Sequence, residues 1–176
     1  RLLRVLPSTD SGSEIKCELF HSTIRRHKLS YVALSYAWGD PADTVMIKVN
    51  SKPLLITRNL ASALRTVRSL QIRTIWADAI CIDQQNTLER NNQVGRMSEI
   101  YSCASYVLAY TGESIENCDE AFALLRKDRP STRNTADYAQ DIADRAKDEK
   151  TTPLWVALKL LYSRPWFRRC WVTQEV

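Results

Sequence analysis

The sequence predicts an α/β domain: a mostly parallel sheet flanked by helices in three layers, with an added β-hairpin. Three observations lead there. Apolar runs read as strands at YVALSYA (31–37), which is continuous enough for burial on both faces, and at TIWADAICI (74–82) and SYVLAYTG (105–112). Between these runs the apolar period switches to helical spacing, and strands alternating with helices build parallel sheets. At residues 45–56, VMIKV and PLLI flank NSK in the pattern of a hairpin.

In chain order, EIKCELF (14–20) places Ile15, Cys17 and Leu19 on one face of a half-buried strand. The strand YVALSYA and the hairpin follow. From Asn59 to Leu70, the residues Leu60, Ala63, Leu64 and Val67 recur at helical spacing, with Thr57 or Asn59 available as the cap. After TIWADAICI, Asn86 with Glu89 three residues on resembles a capping box, and Val94, Met97, Ile100, Tyr101 and Ala104 make the apolar face of a second helix. A short third helix is expected from Asp119 to Lys127. Residues 126–150 mix both charge signs with few large apolar side chains, as a polar surface insertion does. Thr152-Pro153 then opens a helix whose Leu154, Ala157, Leu158 and Leu161 face the core. The whole of 1–176 reads as one domain, and a first residue of Arg1 rather than Met reads as a fragment of a longer protein.

Composition narrows the function classes. A 44% hydrophobic and 26% charged chain is ordinary globular material, and no apolar run approaches the roughly 18 residues of a membrane span. The net charge of +5 is spread along the chain rather than gathered into a basic stripe with interleaved aromatics, which argues against nucleic acid as partner. Five cysteines without a CxxC pair point to a reducing, cytoplasmic setting rather than a disulfide framework. Cys17, His21 and His27 have the right types for zinc but lack a fourth ligand, so no metal and no bound cofactor are expected. P-loop, GxGxxG and HExxH patterns do not occur, which disfavours ATPase, dehydrogenase and zincin chemistry.

In parallel α/β sheets ligands bind outside the carboxyl ends of the strands. That rule selects SYAWGD (35–40), DAICIDQQN (78–86) and TGES (111–114), where small and polar residues concentrate. The closing stretch RPWFRRCWVTQEV (164–176) adds Trp171 and Glu175, four apart and so on one face of a helix.

YVALSYAWGD at 31–40, IWADAICIDQQNTLERNNQVGRMSEIYSCASYVLAYTGE at 75–113 and WFRRCWVTQEV at 166–176, with LLITRNLASALRTVR between the first two, resemble the fungal heterokaryon-incompatibility (HET) domain. The resemblance covers most of the chain except the insertion. It implies a trigger of regulated cell death in allorecognition, and a fold similar to Toll/interleukin-1 receptor (TIR) domains, of flavodoxin-like type. It also implies partnership by self-association or with other HET or TIR-like domains. Some TIR domains cleave NAD with a glutamate at the place that Glu175 occupies in CWVTQEV.

Under that resemblance NAD(P) is the substrate rather than a cofactor, and Glu175 is the catalytic carboxylate. Breaking the nicotinamide–ribose bond develops positive charge on the ribose, which a nearby carboxylate stabilises without a metal. Trp171 supplies an aromatic wall, Asp78 and Asp83 bind ribose hydroxyls, and Ser35, Tyr36, Trp38 and Gly39 form a loop that admits adenine or phosphate. Structural alternatives stay open for each. Glu175 also suits a helix first turn, Trp166 and Trp171 suit core packing, Trp38-Gly39 suits a plain turn, and Asp78 and Asp83 suit capping. At the level of function, a non-enzymatic signalling module and a nucleotide sensor without turnover are the alternatives.

Overall fold

The computed structural model describes residues 1–10, 12–23, 30–114, 116, 118–119 and 152–169, and for 152–154 the backbone alone. The helix expected after Asp119, the polar insertion at about 126–150, His27 and the closing CWVTQEV with Trp171 and Glu175 lie outside the described residues. The chain divides into two compact units.

The first unit holds a seven-stranded sheet. Its strands are β1 (Leu2–Val5), β2 (Lys16–Phe20), β3 (Val32–Tyr36), β4 (Thr44–Val49), β5 (Lys52–Thr57), β6 (Thr74–Trp76) and β7 (Tyr106–Tyr110). They lie in the order β5-β4-β2-β1-β6-β3-β7. Strands β2, β3, β4, β6 and β7 run one way and β1 and β5 the other, so the sheet is mostly parallel, as expected. Every residue of β3 is buried, which requires cover on both faces and explains why its sequence is continuously apolar rather than alternating.

The hairpin forms as its pattern predicts. Asn50 and Ser51 adopt φ of 49° and 64°, the left-handed pair that a two-residue turn needs to match strand twist. Asn50 also extends the sheet sideways: its Oδ1 accepts from Leu19 N–H at 2.9 Å and its Nδ2 donates to Leu19 carbonyl at 3.0 Å, a side-chain copy of a ladder pair.

Helix α1 (Arg58–Ser69) is capped by Thr57, whose hydroxyl accepts from Leu60 N–H, and buries Leu60, Ala61, Ala63, Leu64 and Val67. It packs against β1, β4 and β5.

Three expectations need correction. TIWADAICI is not one strand: β6 stops at Trp76 and a helical turn α2 (Asp78–Cys81) follows. The Asp78 carboxylate accepts the Ala79 N–H at 2.8 Å, and the Ala77 carbonyl accepts from Ile80 and Cys81, so local bonds outcompete strand extension. The second helix is two, α3 (Thr87–Gly95) and α4 (Met97–Ser102), interrupted where Gly95 weakens the helix at Arg96. Asn86 does cap α3 by accepting from Glu89 N–H, but the Glu89 carboxylate turns away to Asp83 N–H and the Arg1 guanidinium, so the reciprocal half of a capping box is absent. Finally, β1 carries no sequence prediction, although it is the middle strand.

The second unit holds α5 (Thr152–Tyr162) and a 3-10 turn at Pro165–Arg168. Ala157, Leu158 and Leu161 are buried as the helical pattern predicts, and the Phe167 ring sits 4.8 Å from Tyr162 and 4.9 Å from Trp166.

Candidate functional site

Three parallel strands set the geometry. In chain order they are β3, β6 and β7, yet in space β3 lies between the other two. The chain leaves β3 toward one side and later returns on the other, so the carboxyl end of β3 is a topological switch point, where a crevice opens in such sheets. Tyr36 ends the strand there, and Ala37, Trp38 and Gly39 turn away from it.

Gly39 has φ of +82°, and a Cβ added to it would lie 3.1 Å from the Asn59 Cβ. Asn59, in the first turn of α1, donates its amide to the Ala37 carbonyl. The loop is thus clamped onto the start of α1. Trp38 leaves it 48% exposed, with its indole N–H donated to Asp78 Oδ2 at 2.7 Å. The second carboxylate oxygen takes the Ala79 N–H, and the Asp78 carbonyl takes the Gln84 amide at 3.0 Å. Asp78 is therefore held at both its side chain and its backbone, with its carboxylate half-buried beside an exposed indole.

Tyr36 lies buried next to Asp78. Its side chain is buried, and burial first, then the neighbouring Asp78 charge, pushes the phenol well above its usual value. The Asp78 carboxylate and Ala79 amide lie within electrostatic reach of the hydroxyl, but neither closes to ordinary hydrogen-bond geometry. The phenol is a neutral, unused donor across the physiological range.

The structure thus brings Tyr36, Trp38, Gly39 and Asp78 to one strand end. Ser35 and Tyr36 belong to the strand rather than to the loop, and Ser35 is fully buried against β7 at Ala109. Asp83 stands apart. It is exposed, its Oδ1 accepts from Gln85 N–H at 3.0 Å, and it lines an open groove beside the β4–β5 turn with Asn50 and Lys52. Asn59 was missed by sequence reasoning, because its role depends on a strand end 22 residues away and leaves no local signal.

A family profile described as heterokaryon incompatibility protein (HET) matches residues 31–175. The chain belongs to that family. It is also 29% identical, over 212 aligned residues, to heterokaryon incompatibility protein 6, OR allele, of Neurospora crassa. The alignment covers 99% of the chain and 31% of that relative, so the HET domain described here spans about a third of the relative's length. No solved structure matches the chain. The family match begins at Tyr31, so it takes in the whole Trp38–Asp78 cluster, whereas β1 and β2 precede it. Among the described residues, no helix of the HET domain is long and apolar enough to cross a membrane.

Proposed function

We propose that this HET domain is a cytoplasmic module of fungal allorecognition that triggers regulated cell death, and that it does so by cleaving NAD(P) when copies self-associate. The observation that carries the reading is the Trp38–Asp78 pair at the switch point of the β6-β3-β7 triplet. A planar indole beside a fixed carboxylate suits a nucleoside, with the ring free to stack on a base and the carboxylate able to accept from ribose hydroxyls.

Glu175 is assigned the catalytic role through the family resemblance. In the proposed step the C1′–N bond to nicotinamide breaks, nicotinamide leaves as a neutral base with the bonding pair, and water adds to C1′ and releases a proton. The products are nicotinamide and ADP-ribose, or its 2′-phosphate from NADP. The carboxylate of Glu175 stabilises the cationic ribose that develops before water adds.

The test is NAD consumption in cells expressing the full-length protein. Wild type is expected to deplete NAD and release nicotinamide, and Glu175→Gln to lower that turnover at least ~100-fold while the protein remains folded. Cell death that persists in Glu175→Gln with NAD intact would overturn the enzymatic reading.

That outcome would favour the second reading, a module that signals by contact alone. One feature supports it: Met46 and Leu55 face each other across the β4–β5 hairpin at the sheet edge and are 53% and 60% exposed.

A further inference from the structure

Among the described residues, strand β5 is an open edge of the sheet, paired with β4 alone. The direction of its backbone groups follows from its neighbours. Lys48 and Asn50 give their N–H groups toward β2, to the carbonyls of Ile15 and Cys17. Ile47 and Val49 therefore turn theirs to β5, where they face Leu54 and Lys52. The alternate residues Pro53, Leu55 and Thr57 turn their backbone groups outward.

These three positions differ in what they offer. Pro53 has a carbonyl but no N–H. Leu55 has both. Thr57 has an N–H, but as the cap of α1 its carbonyl already accepts the first bond of that helix. The edge thus lacks one donor two residues before Leu55 and one acceptor two residues after it.

Two such edges fit each other when they run antiparallel about a two-fold axis at Leu55. The two Leu55 residues then exchange backbone bonds, and Thr57 N–H of each copy donates to the Pro53 carbonyl of the other. The missing donor falls opposite the acceptor that needs none, so no backbone group is left buried and unpaired. Other registers break this match. Leu55 opposite Pro53 leaves the Leu55 carbonyl without a donor, and Leu55 opposite Thr57 aims its N–H at a carbonyl already in use.

The side chains agree with that register. Leu55 and its cross-strand neighbour Met46 are 60% and 53% exposed on the same face. Across the axis they adjoin the same pair from the other copy, making one apolar cluster. At the ends Lys52 comes opposite Arg58, whose charge Asp43 offsets at 2.9 Å.

We infer that the β5 edge is the surface through which two copies of this chain pair, joining their sheets at Leu55. The inference rests on the self-association proposed above and gives it a contact. A second copy is the occupant because the donor gap of this edge matches its own acceptor gap. The contact is isologous, so it closes at two copies. Six residues span about 20 Å, which places the contact at the small end of protein interfaces, below about 1,200 Å². Copies therefore stay apart until they are concentrated.

The experiment is sedimentation of the purified full-length protein from about 1 to 500 μM. A dimer forming with a dissociation constant of about 10–500 μM is expected. Leu55→Lys and Leu55→Glu are each expected to weaken it at least about tenfold, because like charges then face each other at the axis. An equal mixture of the two variants is expected to regain association, since opposite charges then meet. Leu88→Lys, at an 83% exposed leucine of α3, is the control expected to leave pairing unchanged.

A wild-type monomer across that range would overturn this inference together with self-association. Undiminished association in Leu55→Lys, an equal loss in Leu88→Lys, or a mixture no tighter than its components would overturn the β5 contact alone. Pairing is read by mass, so these outcomes are separate from NAD turnover.

Discussion

Gly39 is the residue on which the Trp38 loop turns. Its φ of +82° lies where a side chain meets its own backbone, and an added Cβ would press on Asn59 at 3.1 Å. Gly39→Ala is therefore expected to cost about 1–2 kcal/mol, read as a lower midpoint in urea unfolding. An unchanged midpoint would mean that the clamp between Asn59 and the Ala37 carbonyl gives way freely. The same reasoning separates the two aspartates singled out by sequence. Asp78 is placed against an exposed indole by contacts from Trp38, Ala79 and Gln84, whereas Asp83 caps its own loop through Gln85.

At the scale of elements, the β4–β5 hairpin shows how local chemistry is shared with the sheet. Asn50 fits both the left-handed turn and the ladder to β2, so replacing it would remove two hydrogen bonds as well as a turn preference. Ser51 is different. At φ of 64° it strains without a side-chain bond to β2, and Ser51→Gly would complete the Asn-Gly turn preferred here. That substitution is expected to raise stability by about 0.5–1 kcal/mol, seen as a higher thermal midpoint. A fall in the midpoint would show that Ser51 holds the turn by some other contact. Strand β5 also illustrates edge protection. Counting outward from the turn, the Pro53 position faces away from β4, where its missing N–H removes a donor from the open edge.

Across the whole molecule, β1 is the seam. It pairs antiparallel with β2 on one side and β6 on the other, joining the β5-β4-β2 group to the β6-β3-β7 triplet. Leu3, at its centre, is 0% exposed. The buried groups around this seam also set a pH limit. Burial pushes the thiols of Cys17 and Cys81 from 9.0 up to about 12, and the Tyr31 phenol from 10.0 to about 12. Each group ionises more readily in the unfolded chain, so the folded state loses stability as pH rises from 9 toward 12, while neutral pH leaves this contribution intact. Thermal unfolding at pH 7, 9 and 10.5 is expected to show a midpoint falling only above pH 9. A flat profile would mean that water reaches these thiols.

The sequence by itself determined what lies within one turn or one strand: the fully buried run of β3, the hairpin across NSK, a cap at Thr57 or Asn59 and the apolar face of α1. These follow from spacing, because a period of two or of 3.6 residues fixes which side chains share a face. The break at Gly95, and the helical turn that ends β6, were less legible, since single hydrogen bonds of about 1 kcal/mol decide them. Only the tertiary structure decided that four residues, LLRV, form the middle strand, for so short a run has no period of its own and is fixed by its two neighbours. It alone put Trp38 on Asp78, 40 residues apart, and Arg96 beside Trp76 in a cavity. Such meetings depend on strand order and register, which no local spacing encodes.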